Sequence, residues 1–373
     1  MKIMHVVESY GGGVFTSVNQ LCNGFANQHD VVLVHGLREE TPANFAAALH
    51  PGVRLIQIPF TREIRPKVDF QSLSTLVRLF KEERPDVIHL HSSKAGFLGR
   101  MAAAIAGLRA VVYSPRAFAF LDPANSPLKK RMYRTLEQLG GKLGGIVVGC
   151  SGDEADEARA VAPHVAQINN AIDIELLDRI ERSAPSSYPA RPLTVGVHAR
   201  VRDAKRPALF QEVARLVQQQ HPEVRFLWIG GGDPFFDGCA EVHCTGWLPR
   251  NDALATLSRE VDIYLLTSAY EGLPLSVIEA AAMGKPSVCT DVSGTHSAVD
   301  QGKSGFLCPD NDAGALAQAV LNLVNDVSVR AQTGAYARQF ARQEFDLPLM
   351  LARYQALYSA LVAGSGQQVP HAV

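Results

Sequence analysis

Two carboxylates, Glu271 and Glu279, stand with seven residues between them in Ser268-Ala-Tyr-Glu-Gly-Leu-Pro-Leu-Ser-Val-Ile-Glu279. The apolar run Val261-Asp-Ile-Tyr-Leu-Leu-Thr267 before them has the length of a buried strand. The small apolar run Ala280-Ala-Ala-Met-Gly-Lys-Pro286 after them suits a helix packed on a sheet. The segment therefore reads as strand, polar loop and helix N-terminus. Such a terminus leaves backbone N–H groups unpaired and carries partial positive charge, so it can hold a phosphate. The two acids repel phosphate and are better suited to accept hydrogen bonds from hydroxyls. Phosphate on the amides with hydroxyls on both sides is the outline of a nucleotide sugar.

Other segments carry chemistry of the same kind. In Val197-His-Ala-Arg-Val-Arg-Asp-Ala-Lys-Arg-Pro207, the cations Arg200 and Lys205 follow a strand-like run. A cation just past the carboxyl end of a parallel strand points into the ligand crevice. Gly11-Gly-Gly-Val-Phe-Thr16 follows the first strand. Its glycines permit close approach of a ligand, and Thr16–Ser17 can cap the next helix. It is not G-x-G-x-x-G, which weakens a dinucleotide reading. Gly230-Gly-Gly-Asp233 and Thr245-Gly-Trp-Leu248 each follow a strand. In His89-Leu-His91-Ser-Ser-Lys94, alternation puts both histidines on one face, but no third metal ligand is evident. Asp153-Glu-Ala-Asp156 follows no P-loop, and Gly302-Lys-Ser304 lacks the upstream glycine of one. Asp310-Asn-Asp312 has D-x-D spacing but reads as a turn.

In this order along the chain, from about Gly11 to Tyr358, these segments resemble the retaining GT-B glycosyltransferases, in particular glycosyltransferase family 4. The resemblance implies an α/β GT-B fold: two doubly wound Rossmann-like domains whose parallel sheets face an interdomain cleft. It implies a nucleotide-diphosphate donor, UDP favoured, with no metal or other cofactor. It places Glu279 on the ribose hydroxyls, Glu271 on the donor sugar, and the Leu275 and Ser276 N–H groups on the distal phosphate. Arg200 and Lys205 match the family's basic pair, which binds the diphosphate and offsets charge on the leaving group. Gly12 and Gly13 face donor phosphate and acceptor, Trp247 and Leu248 the base, and His91 and Lys94 the acceptor. The sequence departs from the pattern in three places. Ala199 replaces a glycine. Pro274 stands where many relatives have glycine, and it has no N–H to donate. Arg116, in Val112-Tyr-Ser-Pro-Arg-Ala-Phe-Ala-Phe120, stands where the family has a histidine beside the transferred sugar. Arginine stays charged and is no base. It either takes part at the reaction centre, reads an acidic group, or anchors an acceptor phosphate.

The reaction implied is transfer to a glycan or lipid-linked acceptor in surface polysaccharide or glycolipid assembly, with retained configuration by front-face attack. The alternatives are a GT-B nucleotide-sugar 2-epimerase, a phosphorylase, or a non-catalytic nucleotide-sugar-binding protein.

The elements that must position these residues alternate throughout. Strand-like runs in the first half are Lys2–Val7, Val31–Val34, Arg54–Ile58, Val87–His91, Ala110–Ser114 and Gly145–Val148. The second series is Leu193–His198, Arg225–Ile229, Val242–Thr245, Ile263–Thr267, Pro286–Thr290 and Gly305–Cys308. Helical patterns separate them, so parallel sheets with right-handed crossovers are expected. Residues 1–171 form the expected acceptor-side domain, joined by a returning C-terminal helix over 346–363. Residues 172–345 form the nucleotide-sugar domain, with a linker-like stretch over 183–192, and 364–373 read as a disordered tail.

With 47% hydrophobic and 20% charged residues, the composition is that of a globular protein, and 373 residues suit two domains. No apolar run is long enough to cross a bilayer, and the N-terminus lacks the pattern of a secretory signal. The six cysteines form no C-x-x-C, which fits a reducing cytoplasm. The formal net charge of −1 hides an asymmetry, with a mildly basic first half that suits an acidic acceptor or an anionic membrane surface, and no nucleic acid partner is expected. The helical pattern Pro127–Leu139 sets Leu128, Met132, Leu136 and Leu139 against a basic face. It is either an ordinary surface helix or a peripheral contact with anionic lipid at the inner face of the cytoplasmic membrane.

Overall fold

The protein is described from a computed structural model, which covers residues 1–61, 63–183 and 191–364. Most of the linker-like stretch and most of the expected tail lie outside these residues. The elements run in order β1 (Lys2–Val7), α1 (Gly12–Phe25), β2 (Asp30–His35), β3 (Val53–Gln57), α2 (Pro66–Glu83), β4 (Val87–His91), α3 (Ser93–Ala106), β5 (Val111–Ser114), α4 (Pro127–Lys142), β6 (Ile146–Gly149), α5 (Gly152–Arg159) and β7 (Val165–Gln167). They continue as α6 (Ile174–Arg182), β8 (Thr194–His198), α7 (Pro207–Gln218), β9 (Arg225–Ile229), β10 (Val242–Cys244), α8 (Arg250–Glu260), β11 (Ile263–Leu266), α9 (Leu275–Ala282), β12 (Ser287–Thr290), β13 (Gly305–Cys308), α10 (Ala313–Asn325), α11 (Val327–Glu344) and α12 (Leu347–Val362). The chain divides into two compact units. One comprises Met1–Asn170 and the chain from Leu347 onward; the other comprises Ala171–Asp346.

The first unit holds an all-parallel sheet in the order β3-β2-β1-β4-β5-β6-β7. Its inner strands are buried on both faces, which is why they read as nearly continuous apolar runs. Met4, Val32, Leu76, Phe80, Leu90 and Tyr113 sit in one core cluster. The strand order reverses between β1 and β4, where ligand crevices form in doubly wound sheets. Helix α12 belongs to this unit. Leu351 lies over Gly24 of α1, where an added Cβ would come within 2.5 Å of it. Further along, the Tyr358 hydroxyl lies 2.7 Å from His89 Nδ1.

The second unit holds a parallel sheet in the order β10-β9-β8-β11-β12-β13. Its reversal falls between β8 and β11. The loops leaving those two strands are therefore neighbours, and they carry the basic segment and the paired acids. Helix α11 packs beside α9 and is tied to α6 by Arg338, which grips Glu181 through two bonds of 2.9 and 2.7 Å. None of the helices is long and apolar enough to cross a membrane among the described residues.

Candidate active site

The first turn of α9 is built as the sequence suggests. Pro274 precedes the helix without a side-chain cap, and no acid lies in the first turn. The Val277 N–H donates back to the Pro274 carbonyl at 3.1 Å, and the Ile278 N–H shares that carbonyl at 3.4 Å. Leu275 and Ser276, at the first two helical positions, have no carbonyl a turn earlier in the helix to bond.

The two acids occupy different settings. Glu271 sits in the loop after β11. Lys205 Nζ forms an ion pair with its Oε1, and the Ser268 hydroxyl donates to the same atom at 2.6 Å. The loop is fixed on three sides. Glu271 N–H donates to the Ser293 carbonyl at 3.0 Å, Ala269 N–H to the Ala204 carbonyl at 2.9 Å, and the Thr267 hydroxyl to the Lys205 carbonyl at 2.8 Å. Gly294 carries the chain past this loop at φ 86°, and a Cβ there would lie 2.5 Å from the Gly272 carbonyl oxygen. Position 294 therefore needs glycine for both conformation and space.

Glu279 is 1% exposed, on the face of α9 toward the strand ends. Arg250, the first residue of α8, forms an ion pair with Oε1, and His198 Nδ1 lies 3.8 Å from Oε2. Burial lowers the pKa of His198 and outweighs the opposing pull of Glu279; Arg250 and Lys205 lower it further. The imidazole is thus kept neutral beside the acid. Its backbone N–H donates to the Tyr264 hydroxyl at 3.2 Å. Neither His198 nor Arg250 was singled out from the sequence. The first is set by β8 register and the second by a helix start just past Pro249. Arg200 is half-buried two residues beyond His198.

The loops after β9 and β10 lean on this end of the sheet. The Trp228 indole N–H donates to the Ala199 carbonyl at 2.8 Å, and Gly230 N–H donates to the Thr245 hydroxyl at 3.1 Å. Trp247 is 64% exposed and Leu248 half-buried, so the indole is not a packed core residue. The D-x-D segment is structural: Asp310 pairs with Arg206, and the Asp312 carboxylate caps α10 by accepting from Ala315 N–H at 2.9 Å.

The first unit corrects several expectations. The glycine-rich segment was expected as a loop, but α1 begins at Gly12, so Gly12 and Gly13 form its first, exposed turn after an extended Gly11. Gly12 has φ 55°, a left-handed conformation that glycine adopts without strain. Thr16 and Ser17 lie inside the helix and do not cap it. A third histidine is present. Strand pairing aligns His5 with His89, and the ligand atoms of His5, His89 and His91 lie within 4.8 Å of one another. His91 is fully buried and bonded to His5, with Nε2 3.1 Å from His5 Nδ1, so it offers no surface to an acceptor in this structure. Both His89 nitrogens are used, Nδ1 by Tyr358 and Nε2 by the Ser114 hydroxyl at 2.9 Å. Burial, and then the Arg116 charge, lowers the His5 pKa to about 3; burial is likewise the main cause that holds His89 and His91 well below their usual range. The imidazoles, bonded to one another and to hydroxyls, form a buried polar network in which His5 Nε2 and His91 Nδ1 have no hydrogen-bond partner among the described residues.

Arg116 and Ala117 both have positive φ, 60° and 79°, which costs non-glycine residues energy. The turn is held by Glu154, a buried carboxylate that accepts from Ala117 N–H at 2.6 Å and Cys150 N–H at 2.7 Å. Arg116 Nη1 donates to Asn170, while its Nε and Nη2 are buried without a hydrogen-bond partner. Lys94 is also committed. It pairs with Asp69 at 2.8 Å and donates to the Glu63 carbonyl, and its side chain is 12% exposed. The pairing partner on α2 could not be read from local spacing.

With this geometry in place, comparison with known proteins defines the class. Residues 12–170 match the family described as Glycosyl transferase 4-like domain, and residues 192–326 the family described as Glycosyl transferases group 1. The chain belongs to the GT-B glycosyltransferases of the family 4 type. It is similar to an Escherichia coli UDP-Gal:alpha-D-GlcNAc-diphosphoundecaprenol alpha-1,3-galactosyltransferase, with 27% identity over 74% of this chain and 76% of that one. It is also similar to the Staphylococcus aureus capsular polysaccharide biosynthesis glycosyltransferase CapM, with 22% identity over 83% of this chain and 85% of that one. Among solved structures, sucrose-phosphate synthase from Thermosynechococcus elongatus superposes with a TM-score of 0.78 at 19% identity, over 98% of this chain and 100% of that one. The Anabaena protein HepE, solved with UDP and glucose, gives 0.76 at 19% identity over 96% and 100%. These likenesses establish the GT-B fold.

Proposed function

We propose that this glycosyltransferase is a retaining, metal-independent enzyme of surface polysaccharide assembly that moves a hexosyl or N-acetylhexosaminyl group from a UDP-sugar to a glycan or lipid-linked acceptor. The observation that carries the reading is the α9 terminus: the uncapped Leu275 and Ser276 positions lie between two acids, one paired with Lys205. The second unit holds the donor. The Leu275 and Ser276 amides and Lys205 take the diphosphate, Arg200 adds charge from the same loop, Glu279 takes the ribose hydroxyls and Glu271 those of the sugar. Trp247 and Leu248 border the base. As the C1–oxygen bond to the β-phosphate breaks, the cations and amides offset the charge left on that phosphate, electrostatic work that needs no metal. The acceptor hydroxyl attacks C1 from the face the phosphate leaves, and its proton passes to the departing phosphate oxygen, so configuration is retained. Gly12, Gly13, Arg116, His91 and Lys94 lie on the unit assigned to the acceptor. Among these, His91 and Lys94 act by supporting the strand ends, since both are committed within the unit. The uridine donor and the diphosphate-linked acceptor named for the Escherichia coli relative support this choice of substrates.

Helix α4 is the proposed membrane contact. Leu128 is 78% exposed and Leu139 48%, with Lys129, Lys130, Arg131 and Arg134 on the same helix. Apolar residues with a basic surround suit an anionic lipid surface, where a lipid-linked acceptor would reside.

The test is incubation of the pure protein with UDP-sugars in the presence of a chelator, with and without a diphosphate-linked lipid sugar. Transfer with α-donor giving α-product, together with slow hydrolysis of donor alone, is the expected result. Isomerisation of the donor sugar without acceptor would establish the epimerase alternative instead, and loss of transfer in chelator would overturn the metal-free mechanism.

A further inference from the structure

Arg250 has no role in the reading above, yet its place is distinctive. It follows directly on Thr245-Gly-Trp-Leu-Pro249, the segment assigned to the base, and opens α8. From there its guanidinium reaches Glu279, the acid assigned to the ribose, and pairs with it. A carboxylate that is 1% exposed is costly to bury unless an opposite charge or hydrogen bonds accompany it. His198, the other polar neighbour, is held neutral by burial and supplies none.

We propose that Arg250 is a positioning residue for nucleotide binding: it keeps the Glu279 carboxylate charged and aimed, so that the acid can take the vicinal hydroxyls of a ribose held beside the base segment. The inference rests on the reading of Glu279 as the ribose-binding acid. A charged carboxylate accepts two hydroxyl bonds; a protonated one must turn one oxygen into a donor. The groups around Glu279 are few. From β8 comes His198, and Lys205 in the loop after it pairs with Glu271. From β11 comes the Tyr264 hydroxyl, whose ionisation burial suppresses, and Cys289 on β12 lies near that tyrosine. From α11, Arg342 bonds the Ala282 carbonyl at the far end of α9 and pairs with Asp178 of α6. Arg250 itself is 36% exposed at its side chain, so it can yield to a ligand while Glu279 cannot leave.

The experiment compares the wild-type chain with Arg250→Gln, Arg250→Lys and the double variant Arg250→Gln/Glu279→Gln, using calorimetric binding of UDP-glucose, a diphosphate diester that does not itself titrate in the range, from pH 5.5 to 8.5. Wild type and Arg250→Lys should hold a nearly constant Kd from pH 6.5 upward. Arg250→Gln should bind at least tenfold more weakly at pH 6 than at pH 8, and the double variant should bind weakly with no pH dependence. The ligand-free thermal unfolding of Arg250→Gln gives a second readout. A carboxyl that stays protonated in the folded state makes the variant's stability relative to wild type fall as pH rises through its titration, against the opposite slope of the buried histidines that both proteins share. Arg250→Gln that binds UDP-glucose with wild-type affinity and a flat profile would overturn the proposal, as would Arg250→Lys failing to restore the flat profile. Wild type that binds no nucleotide would remove the ribose reading of Glu279 and the binding role with it. In that case the unfolding slopes would still decide whether Arg250 keeps the acid charged.

Discussion

Replacing Glu279 by glutamine gives the sharpest single test of the donor site. The change keeps the side chain's shape and one acceptor oxygen but removes the charge and turns the second oxygen into an NH2 donor. A hydrogen bond to a charged group contributes about 1.5–3 kcal/mol and a neutral one about 0.5–1.5. Losing one hydroxyl bond and weakening the other therefore costs about 2–4 kcal/mol, or roughly 30- to 1,000-fold in Kd. The folded protein should tolerate the change. Removing the buried charge also removes its desolvation cost, and Arg250, the ion-pair partner, is 36% exposed and can turn to water, so stability should change by about 1 kcal/mol or less. Calorimetric titration with UDP and with 2′-deoxy-UDP separates the causes. Wild type should prefer UDP by about tenfold or more, because the deoxy ligand leaves a buried carboxylate oxygen without a partner. Glu279→Gln should bind both weakly and barely distinguish them. Equal weakening of the two ligands with the preference intact would refute the assignment of Glu279 to the ribose.

Three further outcomes follow from the geometry. Arg116→Gly removes the left-handed strain at φ 60° together with the bond to Asn170. The two effects are each about 1 kcal/mol and opposed, so Tm should move little while transfer rate drops by tenfold or more. His5, His89 and His91 have folded pKa values below the unfolded value, so the unfolded state binds more protons below about pH 6.5 and stability falls as pH drops through that point, continuing toward the His5 value of about 3. Each neutral histidine should cost about 1.2 kcal/mol between pH 7 and 5.5, visible as a falling Tm that His5→Phe partly flattens. Leu128→Asp with Leu139→Asp should abolish cosedimentation with vesicles rich in anionic lipid, and salt should weaken it for the wild type.

Most of the fold was legible because parallel strands buried on both faces leave long apolar runs. Val87–His91 and Arg225–Ile229 show this, and both match the observed strands. What escaped notice lacks that signal. Strand β7 has only three residues. Helix α11 buries just Thr333, Gly334, Ala337 and Ala341, a stripe of small residues that leaves little apolar periodicity. Three glycines after a strand suggest a loop, whereas here they let α1 begin almost directly after β1.

Within the candidate site, the local motif around Glu271 and Glu279 was readable because strand, loop and helix follow one another in sequence. Its partners were readable only in part. Lys205 was found from its place after a strand, but Arg250 reaches Glu279 from a helix start 29 residues upstream. His5 meets His89 and His91 only because β1 pairs with β4 in a particular register. Long-range pairing of that kind leaves no trace in local spacing. The same limit explains Lys94, whose commitment to Asp69 depends on how α2 and α3 pack.

Whether the second unit grips an activated sugar nucleotide is read out by thermal unfolding with UDP-, GDP- and dTDP-sugars. A ligand present at a hundred times its Kd stabilises by about 2.7 kcal/mol. For a unit of this size that is a rise of roughly 5–10 °C in Tm. Such a rise should appear with at least one UDP-sugar and be lost in Glu279→Gln. No rise with any nucleotide sugar would contradict a donor site on that unit.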